Sequence, residues 1–326
     1  MRAHLEAWLQ SRWYGRNRPP WLLRQLSRVQ AGLVRLNQRR RQGAWHAPVP
    51  VVVIGNLTLG GTGKTPFVIW LATRLREMGL RVGIVSRGYG RRRHDVRPVE
   101  EGSDWREVGD EPLLIHRMTA CPVVVGRDRV AASRMLIDRH RPDIILCDDG
   151  LQHYRLGRDV EVAVIDGGRR FGNGWLFPAG PLREPLSRLE DVTFRVWNGG
   201  TPPEESGIGM QLLVEEAVAL ASGERRPLEL FAPGPVQAVA GIGSPQRFFD
   251  TLRARGIEVI PIEPGDHQPW QPSARDEGIP VLMTDKDAVK LPVCEGRPWW
   301  RVPVQAQVSH ADELLDQLRA LAMTAG

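Results

Sequence analysis

The chain has 326 residues, of which 42% are hydrophobic, and its formal net charge is +6. That length allows two domains, and the apolar share is ordinary for a folded soluble protein. No stretch approaches the roughly 18 apolar residues of a spanning helix, and no secretory leader is evident. We therefore expect a protein that is neither exported nor transmembrane.

The three cysteines, Cys121, Cys147 and Cys294, lie far apart in the sequence and form no CxxC pair. This spacing argues against a disulfide framework and against a structural zinc site. A reducing cytosolic compartment fits best.

The positive charge is concentrated at the N-terminus. Residues 1–41 contain ten arginines and a single acid, so the rest of the chain is slightly acidic. The same segment contains Trp8, Trp13 and Trp21. Because the remainder offers no second basic surface, we expect no nucleic acid as a partner.

Helical periodicity within residues 1–45 predicts a basic amphipathic helix. Such a helix suits the headgroup layer of an anionic membrane surface, where the cations meet phosphates and the apolar stripe enters the acyl chains. A helix packed on its own domain shows the same pattern, and periodicity alone does not separate the two. The stripe consists of Leu22, Leu26, Val29, Leu33 and Leu36, with Arg24, Arg28 and Arg35 elsewhere on the circumference.

From residue 46 to residue 200, β-branched runs alternate with helical stretches, which is typical of an α/β fold with a parallel sheet. The predicted helices are Thr65–Met78 and Arg129–Arg139. The predicted strands are Val51–Ile54, Val82–Ser86, Val123–Val125, Ile144–Cys147 and Val160–Ile165.

The pattern changes in residues 201–235. Two short strands, Met210–Val214 and Ala217–Ala221, follow each other without a helix, which predicts a linking β-hairpin. The α/β rhythm resumes in residues 236–326, which we interpret as a second, smaller α/β lobe. Its predicted elements are strands Val236–Ala240, Glu258–Ile260 and Val281–Thr284, helix Pro245–Arg255 and a last helix from Ala311.

A glycine-rich loop, GNLTLGGTGKT at 55–65, joins the first strand to the first helix of the core. Backbone N–H groups of such a loop surround phosphates. We expect Lys64, a catalytic candidate, to reach the β and γ phosphates and the Thr65 hydroxyl to ligate Mg²⁺. The usual motif opens with glycine where this chain has Thr58. The sequence predicts a P-loop NTPase-type sheet with these nucleotide-binding residues: Thr58, Leu59, Gly60, Gly61, Thr62, Gly63, Lys64 and Thr65.

The strand predicted to end at Cys147 is followed by Asp148 and Asp149. An acid at the tip of a buried strand beside a P-loop is the Walker B arrangement, which holds magnesium directly or through water. We expect Asp148 in the metal shell. Asp149 can fill this role or remain a solvated turn residue.

Two other classes of P-loop protein fit less well. A membrane-partitioning switch ATPase carries a signature lysine where this chain has Leu59, and a GTPase carries Asn/Thr-Lys-x-Asp, whereas residues 284–287 read TDKD. Adenine is then the default base, which leaves an ATP-dependent transfer.

Six motifs together resemble the tetraacyldisaccharide 4′-kinase family of the lipid A pathway, and they occur in the family's order along the chain. In this family a residue other than glycine at the position of Thr58 is normal. The motifs are GNLTLGGTGKTP at 55–66, SRGYGR at 86–91, GDEP at 109–112, DDGLQH at 148–153, FGNGWLFPAGPLREP at 171–185 and TDKDAVK at 284–290.

The resemblance implies that ATP, with Mg²⁺, phosphorylates the 4′-hydroxyl of tetraacyldisaccharide 1-phosphate, a lipid A precursor, to give the 1,4′-bisphosphate. A substrate whose acyl chains stay in a bilayer requires an active site at the membrane surface, which favours the interfacial helix. The implied location is the cytoplasmic face of the bacterial inner membrane, as a peripheral or monotopic protein.

A sugar hydroxyl needs a base, and Asp110, His153 and His267 are candidates by residue type. By resemblance, Asp110 is the base and His267 its partner. His153, five residues after Asp148, either approaches the phosphates or packs at the strand exit.

The remaining candidates lie in loops at the ligand-bearing edge of the sheet. Arg183 is expected to meet phosphate charge and Glu184 to help at magnesium, although a structural ion pair is the alternative. Lys286 and Asp287 are candidates to help enclose the nucleotide. The predicted substrate-side residues are Ser86, Arg87, Tyr89, His153, Asn173 and Arg183.

Overall fold

The computed structural model describes residues 2–15, 18–200, 202, 207–265, 267–270, 278–291 and 298–324, with backbone alone for residues 2–7. Cys121 and Cys147 are buried free thiols. Cys294 lies outside the described residues.

The helices of the described chain are α1 (Arg2–Tyr14), α2 (Trp21–Gln38), α3 (Lys64–Glu77), α4 (Trp105–Val108), α5 (Asp110–Thr119), α6 (Arg129–His140), α7 (Pro245–Arg253), α8 (Asp285–Ala288) and α9 (Asp312–Thr324). Short 3₁₀ helices span Arg39–Gly43, Leu186–Asp191 and Leu228–Phe231.

The strands are β1 (Val51–Gly55), β2 (Val82–Ser86), β3 (Arg97–Val99), β4 (Val123–Val125), β5 (Ile144–Asp148), β6 (Val160–Asp166), β7 (Phe194–Asn198), β8 (Ile208–Leu213), β9 (Glu216–Ala219), β10 (Arg225–Pro227), β11 (Pro235–Val239), β12 (Glu258–Ile262), β13 (Val281–Thr284), β14 (Trp299–Val302) and β15 (Gln305–Ser309).

Within the described residues, nine strands form the larger sheet in the order β15-β8-β7-β6-β1-β5-β2-β4-β3. The strands from β8 to β4 run parallel, and the two edges, β15 and β3, are antiparallel. The carboxyl ends of β1, β5 and β2 therefore lie side by side. This edge carries the P-loop, Asp148 and Ser86.

The central strands read as continuous apolar runs because both faces of the sheet are covered. Val52 and Ile54 of β1 pack with α3, α5 and α9 on one face, while Val51 and Val53 pack with α6 on the other. All four side chains are at most 1% exposed. The P-loop therefore leaves a strand that is fixed from both sides.

The smaller lobe has its own sheet in the order β10-β9-β14-β13-β11-β12. The predicted linking hairpin is wrong. Both of its strands exist, but β8 joins the larger sheet and β9 the smaller one, so they do not pair. The reason is that their buried residues belong to different cores: Met210 packs in the larger lobe and Ala217 in the smaller one.

The predicted extent of the smaller lobe, 236–326, needs a second correction. β15 pairs with β8 at the edge of the larger sheet, and α9 packs beneath that sheet. Leu314 and Leu318 of α9 are 0% exposed in the same cluster as Val52. The chain returns because β15 covers the otherwise open edge of β8 and α9 buries its apolar face on the core.

Two helices, α1 and α2, form the basic N-terminal segment. Trp13 of α1 is buried, and its Nε1 donates to the Pro178 carbonyl at 3.0 Å. The predicted apolar stripe lies on α2 and faces away from the core. Its residues are exposed: Leu22 (60%), Leu26 (47%), Val29 (64%), Leu33 (58%) and Leu36 (61%).

Candidate active site

The P-loop between β1 and α3 is shaped by its glycines and braced by Asn56. Gly60 and Gly63 have φ values of 98° and 90°, in the left-handed region that glycine adopts without steric cost. The Asn56 Nδ2 donates to the carbonyl oxygens of Thr58 at 2.8 Å and Gly60 at 3.3 Å. The side chain of Asn56 thus fixes the turn of the loop.

Thr58 occupies the position where the usual motif has glycine. It forms an antiparallel bridge with Leu182, and the next residue, Leu59, donates its N–H to the Pro181 carbonyl at 2.7 Å. The φ angle of Thr58 is not positive. Its backbone is therefore compatible with a side chain, and the segment around Leu182 supports the P-loop from one side.

Lys64 points toward the tip of β5. Its Nζ donates to the Asn56 Oδ1 at 3.1 Å and lies 3.4 Å from the Asp149 Oδ1. Arg183 donates to both oxygens of Asp149, at 3.0 and 3.2 Å. Although burial raises the pKa of Asp149, the charges of Lys64 and Arg183 outweigh it and lower that pKa.

Asp148, the last residue of β5, is 2% exposed and accepts a hydrogen bond from the Ser86 Oγ at 2.9 Å. Burial, followed by the charges of Glu111 and Asp149, raises the pKa of Asp148 to about 6. A cation beside this carboxylate would relieve the repulsion. The carboxylate of Asp148 and the half-buried hydroxyl of Thr65 are oxygen donors of the kind that Mg²⁺ prefers.

Glu184 is buried and already holds two donors. Its carboxylate accepts from the Tyr154 hydroxyl and from the Gln152 Nε2, the latter at 3.0 Å. The Oε1 of Gln152 in turn accepts from Arg183 at 3.3 Å. Glu184 thereby orients the amide that Arg183 contacts.

Asp110, at the start of α5, meets the smaller lobe. The His267 Nδ1 lies 3.0 Å from both carboxylate oxygens, and the Nζ atoms of Lys290 and Lys286 lie 3.6 and 3.9 Å from Oδ2. Burial raises the pKa of Asp110, but the His267 hydrogen bond and the two lysines outweigh it, so the pKa is lowered. Asp110 is an ionised acceptor within a cationic pocket.

The model of the family described as tetraacyldisaccharide-1-P 4′-kinase matches residues 19–322. The chain belongs to this family. The family predicted from the motifs, and with it a kinase activity, is confirmed.

Similar proteins named tetraacyldisaccharide 4′-kinase include those of Stenotrophomonas maltophilia and Pseudomonas paraeruginosa. The first is 48% identical, covering 94% of this chain and 96% of its own, and the second is 45% identical, covering 92% of each. The crystal structure of LpxK from Aquifex aeolicus in complex with ATP has a TM-score of 0.74 at 26% identity, covering 91% of this chain and 97% of its own. This likeness confirms the predicted P-loop α/β fold class.

The structure brings most of the predicted kinase residues together. Lys64, Arg183 and Glu184 are linked through Asp149 and Gln152 at one edge of the larger sheet. Ser86 donates to Asp148, which precedes Asp149 in the chain. The Asp110–His267 pair lies nearby, because the charge of Glu111, the residue after Asp110, is close enough to raise the pKa of Asp148. The Tyr89 ring lies 5.0 Å from the His267 ring, between centroids.

Three predicted substrate-side residues lie outside this group of contacts. The His153 Nε2 accepts the backbone N–H of Arg129 at 3.3 Å, at the start of α6. Asn173 uses its amide on the carbonyls of Ala179 at 2.9 Å and Arg12 at 3.3 Å, which joins its loop to α1. Arg87 is exposed.

Four residues with contacts in the site were not singled out from the sequence: Asn56, Glu111, Gln152 and Lys290. Each lies within one of the motifs that indicated the family. The signal was therefore present, but a motif does not say which of its polar side chains turns toward the ligand edge.

Proposed function

We propose that this chain transfers the γ-phosphate of ATP to the 4′-hydroxyl of tetraacyldisaccharide 1-phosphate, forming the 1,4′-bisphosphate in lipid A biosynthesis. Family membership supports the acceptor, since relatives at 45–48% identity carry this kinase name. The observation that carries the proposal is the Asp110–His267 pair beside the P-loop edge. A base adjoining a phosphate-binding loop is what transfer to a hydroxyl requires.

In this reaction the 4′ oxygen forms a bond to the γ-phosphorus while the bond from that phosphorus to the β–γ bridging oxygen breaks. ADP leaves with the bonding electrons, and the hydroxyl proton passes to the Asp110–His267 pair. Lys64 and the P-loop N–H groups stabilise the charge on the transferring group. Arg183 supplies a further positive charge at this edge.

Thr65 and Asp148 are the residues proposed to hold Mg²⁺, which when bound neutralises charge on the β and γ phosphates. The raised pKa of Asp148 supports a cation at this position. For Glu184 to join them, its carboxylate has to exchange its bonds with Tyr154 and Gln152 for the ion.

The acceptor also carries a phosphate, and Arg91 of the SRGYGR motif suits it. Arg91 is 5% exposed, and its Nε and Nη1 have no hydrogen-bond partner among the described residues. Burial lowers the pKa of Arg91, the charge of Asp95 raises it in part, and the charges of Arg97, Arg127 and Arg129 lower it further. An anionic oxygen would satisfy the unpaired donors and the local charge.

The transfer assay uses the full chain, labelled ATP, Mg²⁺ and the lipid acceptor in detergent micelles. We expect labelled lipid from the wild type, and a loss of about 10²–10⁴-fold for Asp110→Asn with ATP binding retained. The exposed Glu100→Gln is the matched control and should behave as wild type. ATP hydrolysis that needs no lipid, and that survives Asp110→Asn, would instead indicate a switch ATPase.

We also propose that α2 holds the enzyme on an anionic membrane surface, at the cytoplasmic face of the bacterial inner membrane. None of the described helices combines the length and apolarity needed to cross a bilayer. The stripe of α2 is exposed, as are Arg28 and Arg35 on the same helix and Arg39 and Arg40 in the 3₁₀ helix that follows it. This combination is typical of an interfacial helix.

Vesicle co-sedimentation tests this placement. The double change Leu26→Glu and Leu33→Glu adds charge to exposed positions, so it should leave the fold intact and reduce binding to phosphatidylglycerol vesicles about tenfold or more. Leu230→Glu, at a position that is 67% exposed in the smaller lobe, is the matched control. Equal binding by the wild type and the double variant would refute the membrane role of α2.

A further inference from the structure

The Asp110–His267 pair, which accepts the proton in the proposed reaction, lies among charged side chains from both lobes. Asp110 and Glu111 belong to α5 of the larger lobe, whereas His267, Lys286 and Lys290 come from the smaller lobe. Only 1% of Asp110 is exposed. The surroundings of this carboxylate therefore depend on how the smaller lobe is docked.

Lys290 is the most deeply buried of these cations, with a side chain that is 0% exposed. A buried ammonium is costly unless it is paired and hydrogen-bonded. Its Nζ lies 3.0 Å from the Asp287 Oδ1, 3.3 Å from the Gln268 carbonyl and 3.6 Å from the Asp110 Oδ2. Three acceptors in different directions thus define the position of one charge.

Asp287 is itself held rigidly. It is 2% exposed, and its Oδ2 accepts from the Gly241 N–H at 2.8 Å and the Thr284 hydroxyl at 2.6 Å. Its backbone N–H lies 3.2 Å from the same hydroxyl, at the start of α8. Asp287 therefore anchors Lys290 to the backbone of the smaller lobe.

Lys286 differs in a way that makes it a natural comparison. It lies one turn earlier, is 12% exposed, and its Nζ is closer to Glu111, at 3.2 Å, than to Asp110, at 3.9 Å. The two lysines thus contact neighbouring acids of α5, and Lys290 is the nearer one to the base.

We propose that Lys290, anchored by Asp287, is a positioning residue that keeps Asp110 ionised and correctly oriented once the smaller lobe is docked. The inference rests on the proposed function, in which Asp110 and His267 accept the hydroxyl proton. Lys290 touches neither ATP nor acceptor in this account and acts through Asp110. The smaller lobe thereby completes a base whose carboxylate is supplied by the larger lobe.

The first test compares pH profiles of kcat/KM for the wild type, Lys290→Met, Lys290→Arg and Lys286→Met. Without the neighbouring charge, burial makes Asp110 easier to protonate, so Lys290→Met should move the acidic limb up by about one pH unit. Its kcat should fall about 10–100-fold near neutral pH with ATP affinity unchanged. Lys290→Arg should restore the profile. Lys286→Met should also move the acidic limb, because the charge of Lys286 lowers the pKa of Asp110 too, but it should reduce kcat less, since its Nζ lies closer to Glu111 than to Asp110.

A double-mutant cycle with Asp110→Asn gives a second readout. If Lys290 acts through Asp110, then Lys290→Met should not reduce the residual activity of Asp110→Asn further. Additive losses, or a Lys290→Met enzyme that is slow with an unshifted pH profile, would overturn the proposal and leave Lys290 a purely structural residue.

A third measurement does not depend on the acceptor. The ¹³C carboxyl signal of Asp110, assigned by its loss in Asp110→Asn, is titrated in the wild type and in Lys290→Arg and Lys290→Met. We expect the pKa of Asp110 to rise in Lys290→Met and to stay low in Lys290→Arg; equal values in all three would overturn the role of Lys290. A wild-type enzyme that fails to phosphorylate the lipid would refute the proposed function alone, because this titration still decides the role of Lys290.

Discussion

Asp148 and Asp149 are adjacent at the tip of β5, yet their environments shift their pKa values in opposite directions. Burial and the charges of Glu111 and Asp149 raise the pKa of Asp148 to about 6. In contrast, the charges of Lys64 and Arg183 lower the pKa of Asp149. The Ser86 hydroxyl and the charge of Lys64 thus compensate the carboxylate of Asp148 only in part, whereas that of Asp149 pairs with two basic side chains. We expect the first to gain from a bound cation and the second to hold the two basic side chains in place.

Replacement of each acid by asparagine should therefore change stability in opposite directions. A carboxyl whose pKa is raised in the folded state loses stability as the pH rises from its unfolded pKa, near 4, through about 6. A shift of roughly two units corresponds to about 2–3 kcal/mol at pH 7. We expect Asp148→Asn, without Mg²⁺ or nucleotide, to unfold at higher urea concentration than the wild type at pH 7, and the difference to shrink toward pH 5.

Asp149→Asn serves as the isosteric comparison. Its pKa is lowered, so its contribution to stability is present at neutral pH and is lost as the pH falls. This variant should be less stable than the wild type at pH 7. Urea midpoints that move in the same direction for both variants would contradict the assignment of opposite environments.

At the level of elements, β15 and α9 stabilise the larger lobe. β15 completes the edge of the larger sheet, and α9 packs beneath β1, the strand that leads into the P-loop. The free energy of this contact comes mainly from Leu314 and Leu318, both fully buried.

Leu318→Ala should destabilise the larger lobe by about 2–5 kcal/mol, because the change leaves a cavity in a close-packed core. Met323→Ala, at a position that is 69% exposed on the same helix, should change stability by less than about 0.5 kcal/mol. Hydrogen exchange should show the loss of protection in β1 and α3. Loss confined to the smaller sheet, β9 to β14, would contradict this packing.

Periodicity was sufficient for the central strands, because runs such as Val51–Ile54 have one physical explanation when both faces are buried. It failed for β8 and β9, where a short link typical of a hairpin joins strands of different cores. It also left the α2 stripe undecided, since a core-facing helix and an interfacial helix share one pattern. The exposure of Leu22 and Leu33 in the structure is the information that the sequence lacked.

In the candidate site too, some features could be predicted from the sequence and others could not. The P-loop and the acid at the end of β5 are local in sequence, so spacing alone predicted them. The contact of Lys290 with Asp110 joins positions 180 residues apart, and no local pattern indicates such a pair. The motifs named the residues, and tertiary structure decides which of them meet.

At the scale of the whole molecule, the lobes are tied together on the P-loop side as well as at Asp110. Asp166, at the end of β6, is 2% exposed and accepts from the backbone and side chain of Arg169. Arg247 of α7 lies 2.9 Å from the same carboxylate, and Arg169 also donates to the Gly61 carbonyl in the P-loop. Asp166 thus links the smaller lobe, through Arg169, to the turn of the P-loop at Gly61.

Two substitutions distinguish the contact of Asp166 with Arg169 from its contact with Arg247. Asp166→Asn weakens the hold on Arg169 and should reduce ATP affinity about tenfold, the loss expected for a buried charged hydrogen bond. Arg247→Gln removes only a half-exposed ion pair and should change the affinity less than about threefold. Arg253→Gln, whose Asp250 partner lies on the same helix, is the control in calorimetric ATP titrations. A larger effect from Arg247→Gln than from Asp166→Asn would contradict this assignment.

The return of β15 and α9 to the larger lobe also bears on how the protein is made and handled. These residues follow the smaller lobe in the chain, so the lobe that begins at residue 46 cannot complete its core until the smaller lobe has been translated. A ribosome stalled before Gln305 would present the P-loop on an unfinished sheet. For the same reason, a fluorophore attached after α9 reports the position of the nucleotide-binding lobe, and a dye that follows the other lobe has to be placed between β9 and β14.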